Sequence, residues 1–445
     1  MSCVHGGHEI PGIVGEIYIE KRRGSENIVY NIGIIMGGVM PVPAVCGGAI
    51  ETLIESVVKQ YSKNDPFRLT VFSVYHKEAV EAAKKYPDVR FVWTHTNTFW
   101  NLSKHAVFMV VRQLTGKTIR VLQRHYNEIA PVIQSEKFDL LIVEGGDEKA
   151  VLDIAKGYKR EQLAFHAHVH FIPKEEVAKG YGHMIGVSEF VVREYEKACK
   201  APVKTHLLKN AIDTSKFNKT VSAEDRNSMR MKLGLQEDNF VVLFVGRLIQ
   251  LKGILELMQA ILSIQDKRVK LLVIGSANFG KWAFSPYERK IKRLSQKNRD
   301  RIIFTGYVDN GEVPRYASVA DVQCVPTLVE EAAGLVLLEA MAEGLPLIAT
   351  KSGGVTEYVN EDTALLIERE NVAEEIQNAI LFLKVHPEVR KQMSEKAKLQ
   401  SKNYDETLYY ENFVKMIEDI KEECNGKSIN HHACLQCGKV YFGSD

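Results

Sequence analysis

Short apolar runs alternate along the chain with longer amphipathic stretches. IVYNIGIIM, LTVFSVY, VRFVWTH, FDLLIVEG, LAFHAHVH and MIGVS come first; VVLFVG, KLLVIG, RIIFTG, DVQCVP, LPLIAT and TALLIE follow a charged stretch from Thr214 to Asn239. Such alternation predicts parallel strands joined by helical crossovers, an α/β chain with two doubly wound sheets. Two such halves facing each other put the carboxyl ends of both sheets around one cleft, which is where open parallel sheets bind ligands. The expected organisation is a first domain over residues 28–206, a second over 207–385 and terminal helices over 386–424. The last long segment, YDETLYYENFVKMIEDIKEE, carries apolar residues at helical spacing and is expected to pack back across the first domain. Residues 1–27 and 425–445 lack sustained periodicity and read as appendages.

Composition changes this picture little. A chain of 445 residues exceeds what one core usually holds, which agrees with two domains. A formal net charge of +2 provides no broad basic field for nucleic acid, and no apolar run approaches the roughly 20 residues that span a bilayer. The seven cysteines are odd in number and mostly scattered, and the N-terminus lacks a charged-then-apolar leader, so a reduced cytoplasmic setting is expected.

The chemistry concentrates at three strand ends. In VEEAAGLVLLEAMAEG, Glu331 and Glu339 stand eight positions apart, just over two turns at about 3.6 residues each. If the helix spans both, the carboxylates face one crevice, with Glu331 at the helix mouth and Glu339 two turns inside. Gly334, Leu335 and Val336 then offer unpaired backbone N–H groups suited to a diphosphate. In FVGRLIQLKGILELMQAI, Arg247 and Lys252 bracket a loop between a strand and a helix, where two cations neutralise a phosphate leaving group; solvated surface charges are the ordinary alternative. In MGGVMPVPAVCGGAIETL, Gly47 and Gly48 let backbone approach a phosphate at the positive end of a helix, although glycine pairs are also common turn punctuation.

GRLIQLKG, EAAGLVLLEAMAEGLPLIAT and SGGVTE, together with CGGAIETL, FHAHVH, MIGVSEFV, KNAIDTSKF, IGS and FTGYV in that order, resemble the retaining GT-B glycosyltransferases of family four, glycosyl transferases group 1. The resemblance runs from about Ile28 to about Glu423 and implies two facing Rossmann-like domains, the first for acceptor and the second for a nucleotide diphosphate sugar. It implies that Arg247 and Lys252 bind the donor diphosphate with the Gly334, Leu335 and Val336 backbone, and that Glu339 holds the ribose hydroxyls. Glu331 would lie against the donor sugar, the backbone at Tyr307 and Val308 against the base, and Gly47 and Gly48 over the phosphates. His168, with His166 as the alternative, would sit near the sugar's exocyclic hydroxyl; Asn210 and Gly275 match further family positions. Two departures stand out: Ala333 replaces a frequent aromatic, and Ala211 replaces the usual glycine after Asn210.

The implied reaction is retaining transfer of a hexose or N-acetylhexosamine, from a uridine diphosphate sugar, to a hydroxyl of a glycan, lipid-linked or other acceptor in cell-surface glycan synthesis. No enzyme nucleophile or cofactor is implied, and the lack of any Asp-x-Asp pair predicts independence from metal. His166, His168 and His170 alternate as if to share one strand face, but no Asp or Cys pattern completes a metal site, so satisfied histidines are expected. Cys434 and Cys437 with His431 and His432 form half of a zinc-knuckle pattern, and a plain tail is preferred. The segment SKHAVFMVVRQLTGKTIRVLQRHY sets Lys104, Arg112, Lys117, Arg120 and Arg124 around an apolar stripe; a solvated face is the ordinary reading, and peripheral contact with the inner face of an anionic membrane the alternative. The acceptor is expected around Ile35 to Val45 and His95 to Asn101. Competing classes are a sugar-nucleotide hydrolase or epimerase, a glycan phosphorylase, and a non-catalytic sugar-nucleotide-binding scaffold.

Overall fold

Strands β1 (Tyr30–Met36), β2 (Phe67–Val74), β3 (Arg90–Thr94), β4 (Leu140–Glu144), β5 (Leu163–Ala167), β6 (His183–Gly186) and β7 (Lys204–Leu207) form one parallel sheet in the order β3-β2-β1-β4-β5-β6-β7. Strands β8 (Phe240–Val245), β9 (Val269–Ile274), β10 (Ile302–Gly306), β11 (Val322–Val325), β12 (Leu347–Thr350) and β13 (Ala364–Ile367) form a second, in the order β10-β9-β8-β11-β12-β13. The structure is a computed structural model that describes residues 30–95, 124–170, 174–200, 202–217, 221–276 and 285–424, and the backbone of 432–434 and 439–441. The N-terminal segment, most of the basic SKHAVFMVV stretch, the acceptor stretch after His95 and the side chains of the cysteine tail lie outside those residues.

Both sheets are covered on both faces, because their strands are apolar at successive positions rather than at alternate ones. In β1, Ile34 packs on one side with Val71 and Ile142, while Ile35 packs on the other with Phe72 and Val143. The second sheet divides likewise, Leu243 and Leu272 facing the helix Leu335–Glu343 and Phe244 and Val273 facing the helix Ile254–Ser263. Strand β7 has no counterpart among the runs read from the sequence. Its KTHL is polar and partly exposed at the sheet edge, so hydrophobic patterning carries no signal for it.

The helix Glu406–Cys424 buries Tyr409, Phe413, Met416, Ile417 and Ile420 in the core of the first sheet, not the second. Phe413 meets Phe67 edge to face at 6.2 Å between ring centroids. Lys59 anchors the start of this helix through Glu406 at 3.1 Å and holds Asp213 at 3.3 Å. Phe413→Ala is expected to cost about 3–5 kcal/mol by cavity formation and to lower the unfolding midpoint; a midpoint equal to the parent's in thermal melts would show that the helix is dispensable.

Two further contacts bind the domains. Tyr358 Oη donates to the Val187 carbonyl and accepts from Asn210 N–H at 2.9 Å. The Glu357 carboxylate accepts the Glu189 and Phe190 N–H groups at 2.7 and 2.6 Å, an acidic side chain of one domain seated on a helix N-terminus of the other.

Candidate functional site at the strand-order reversals

In each sheet the chain order reverses between two central strands, β1 and β4 in the first and β8 and β11 in the second. Loops leaving the carboxyl ends of such a strand pair diverge and open a crevice. The loops after β1, β8 and β11 carry Gly47 and Gly48, then Arg247 and Lys252, then Glu331. The two cations and the glutamate, far apart in sequence, thus issue from adjacent strands.

Lys252 Nζ binds Glu331 Oε2 at 2.5 Å, and Thr327 Oγ1 reaches the same oxygen at 3.3 Å. Sequence reading assigned these two side chains to different parts of one ligand; here they form an ion pair with 27% and 20% of their side chains exposed. Arg247 is exposed and has no ion pair among the described residues. Close backbone packing shapes both loops. A Cβ on Gly253 would fall 1.9 Å from the Pro326 carbonyl oxygen, and one on Gly354 would fall 2.0 Å from that of Ala332. The Gly354 N–H also bonds the Glu331 carbonyl at 2.8 Å. Arg369 and the Gly353 N–H hold the neighbouring Glu330.

The helix begins at Leu335, later than expected. Glu331 therefore lies in the preceding loop, and Glu339 sits about one turn into the helix rather than two. Gly334 caps the helix without a side-chain hydrogen bond, so its first N–H groups point out of the helix end. Buried Gln323 of β11 steadies that turn by donating to the Val336 carbonyl at 3.0 Å. Leu335 packs against both the second-domain core and the first-domain cluster of Met36 and Val42, so the helix mouth lies on the domain boundary. Ala333 and Ala332 pack beside Phe165 and Tyr195 of the first domain.

Glu339 makes no hydrogen bond or ion pair among the described residues, and burial pushes its carboxyl up to about 7. Glu343, one turn on, is pushed up to about 9 by burial and by Glu339, and its Oε1 is buried without a hydrogen-bond partner. Since the native state holds these protons more tightly than the unfolded chain, stability falls as pH rises from about 4.5 through about 7 for Glu339. Glu339→Gln removes that contribution and should gain stability relative to the parent between pH 5 and 8. Thermal midpoints of the two proteins that stay parallel across this range would contradict it.

In the first domain β5 ends at Ala167, so the three alternating histidines do not share a strand face. His166 and His168 converge instead on Glu144, at the end of β4. Glu144 Oε2 lies 2.5 Å from His168 Nε2 and 3.1 Å from His166 Nδ1, while His170 packs on Phe190. The sequence reading missed this carboxylate, which together with the two histidines supplies a ligand set of the kind a metal ion takes. The histidines hold the Glu144 carboxyl well below the usual range against the opposing effect of burial, and burial with the neighbouring His166 lowers His168. His166 Nε2 is buried without a hydrogen-bond partner, and His168 is the less enclosed of the two.

Gly47 and Gly48 have φ of 74° and 107° and lead into the helix Ala49–Gln60. Gly47 faces Asn310 of the segment after β10, which joins Tyr307 and Val308 to this side of the cleft. Glu51, in the first turn, is pushed up to about 7 by burial and places an acidic group at the helix end where a phosphate was expected. Tyr307 is 42% exposed and Val308 packs on the second-domain core. Gly275 bonds the Gly306 carbonyl at 2.8 Å beside Gly246. Asn210 faces the domain contact through Tyr358, and Ala211 is buried in the first-domain core without a positive φ, so its Cβ is accommodated.

Residues 225–400 match the family model for glycosyl transferases group 1. The group 1 match includes Arg247, Lys252, Glu331 and Glu339 and excludes the first-domain histidines. The chain is 27% identical over 349 residues to "Putative glycosyltransferase YtcC" of Bacillus subtilis (strain 168), covering 77% of this chain and 80% of that protein. It is 25% identical over 342 residues to "Spore coat protein SA" of the same organism, covering 74% and 83%. Among solved structures, Anabaena HepE in complex with UDP superposes with a TM-score of 0.65 at 19% identity, over 88% of this chain and 100% of that one. Sucrose-phosphate synthase from Thermosynechococcus elongatus gives 0.66 at 18% identity, over 90% and 100%. These likenesses establish the GT-B fold of two facing Rossmann-like domains.

Proposed function

We propose that the chain is a retaining glycosyltransferase that moves a hexose or N-acetylhexosamine from a uridine diphosphate sugar to an acceptor hydroxyl, without a metal ion, in cell-surface glycan assembly. The observation that carries the proposal is the convergence of Arg247, Lys252 and Glu331 on the loops at the strand-order reversal of the second sheet. Departure of the nucleoside diphosphate builds negative charge on the β-phosphate. Arg247, Lys252 and the uncapped end of the helix Leu335–Glu343 are the groups suited to receive it. Glu339, a half-buried carboxyl without a partner among the described residues, suits the ribose hydroxyls as donors. Glu331 faces the donor sugar, and His168, oriented by Glu144, meets its exocyclic hydroxyl. The acceptor hydroxyl attacks from the leaving group's side, its proton passes to the departing phosphate oxygen, and the nucleoside diphosphate leaves as the new glycosidic bond forms.

HepE has been solved with UDP and glucose, which supports a uridine donor, and a further relative, from Salmonella typhimurium, is named "Lipopolysaccharide 1,2-N-acetylglucosaminetransferase", which supports a glycan acceptor. Product analysis with labelled UDP-glucose and UDP-N-acetylglucosamine plus candidate acceptors tests the reading. A glycoside with the donor's anomeric configuration is expected. Free sugar would assign a hydrolase, isomerised donor an epimerase, sugar phosphate a phosphorylase, and unchanged donor a scaffold.

A further inference from the structure

His183, at the start of β6, and His206, in β7, lie on one face of the first sheet, since β6 and β7 pair His183 with Lys204 and His206 stands two residues further on. The last turn of the helix Glu406–Cys424 covers that face. His183 Nδ1 is 2.9 Å from His206 Nε2 and 3.9 Å from Glu423 Oε2, and one ligand atom from each of the three residues lies within 4.8 Å of the other two. Two ring nitrogens at that distance share a single proton; a tetrahedral ion about 2.0–2.1 Å from each would engage both lone pairs once the rings part by a few tenths of an ångström. We propose that His183, His206 and Glu423 bind one divalent transition-metal ion of the zinc class, away from the sugar-nucleotide cleft, which pins the end of the terminal helix to the sheet edge.

The donor set fits that class of ion, for which two imidazoles and one carboxylate with a fourth position left to solvent are a common arrangement. The surroundings orient the ligands as well. Cys424 Sγ lies 3.3 Å from the Glu161 carbonyl and 4.0 Å from His183 Nε2. The Nε2 edge is thereby engaged elsewhere, and Nδ1 faces His206 and Glu423. His183 is almost wholly enclosed, at 2% side-chain exposure, while Glu423 at 18% leaves a route from solvent. Lys204 Nζ holds Glu423 Oε2 at 3.1 Å and is the competing cation; its side chain is 54% exposed and free to swing outward as the ion enters.

The test uses the full chain carrying Cys434→Ser and Cys437→Ser, which removes the tail thiolates as rival ligands. After chelator treatment this protein is titrated with Zn2+ by calorimetry and with Co2+ by visible absorption. One equivalent of each is expected, with d–d absorption from Co2+ and a thermal midpoint that rises with Zn2+ concentration. His206→Gln and Glu423→Gln should each weaken binding by about 10–100-fold or more, and Lys204→Gln should strengthen it. Absence of a stoichiometric site in the tail-substituted protein overturns the proposal. Affinity unchanged by both His206→Gln and Glu423→Gln overturns it too. Where either variant fails to fold, the other one and the affinity of Lys204→Gln decide, because Glu144, His166 and His168 form a rival ligand set that the parent's Co2+ spectrum alone does not distinguish.

Discussion

Lys252→Ala is expected to lower kcat for sugar transfer by about 10²–10³-fold, the usual cost of removing one donor aimed at developing transition-state charge. The stability cost should lie between the roughly 0.2–1 kcal/mol of an exposed pair and the roughly 3–5 kcal/mol of breaking a buried one, because the Lys252 and Glu331 side chains are only 27% and 20% exposed. Turnover is therefore measured well below the variant's own thermal midpoint, where the folded protein alone sets the rate. Lys252→Arg keeps the charge on a bulkier head and should recover part of the rate. Steady-state kinetics giving Lys252→Ala a kcat within a few-fold of the parent's would remove the ammonium from the mechanism.

Glu331→Gln keeps the shape and the contact with Thr327 but removes the charge that holds Lys252. Positive charge develops at the sugar's anomeric centre as the leaving group departs, and a carboxylate facing it lowers that barrier. A loss of about 10²-fold or more in kcat is expected, again on the scale of a lost electrostatic partner. The freed Lys252 should at the same time turn towards the diphosphate, so the product nucleoside diphosphate binds more tightly in this variant than in the parent. Calorimetry that finds weaker product binding, or kinetics with normal turnover, would contradict the assigned role. The opposite signs of the two effects distinguish Glu331 from Lys252, whose loss should weaken both binding and turnover.

The strand, loop and helix signals at Arg247 to Lys252 and at Glu331 to Glu339 were legible because each apolar run ends on a glycine or proline and each helix carries its apolar face at the right period. Legibility failed wherever a long-range contact decides the outcome. Lys252 and Glu331 are 79 positions apart, and Glu189 and Glu357 are 168 apart, so neither ion pair nor helix clamp has a local signature. Glu357 in SGGVTE holds the two domains together through the Glu189 and Phe190 N–H groups, a role that nothing in the motif itself signals. Glu144 ends an ordinary apolar strand, and only the β4–β5 register places it against His166. The helix start at Leu335 moved because residues 326–334 are held by close backbone contacts with Gly253 and Gly354, which outweigh helix propensity in EEAA.

The most direct test of the central claim is a crystal structure of the chain with uridine diphosphate bound. The account predicts the β-phosphate within hydrogen-bonding distance of the Arg247 guanidinium and the Lys252 ammonium, the ribose hydroxyls on Glu339, and uracil beside Tyr307 and Val308. A diphosphate lodged away from both cations would contradict it.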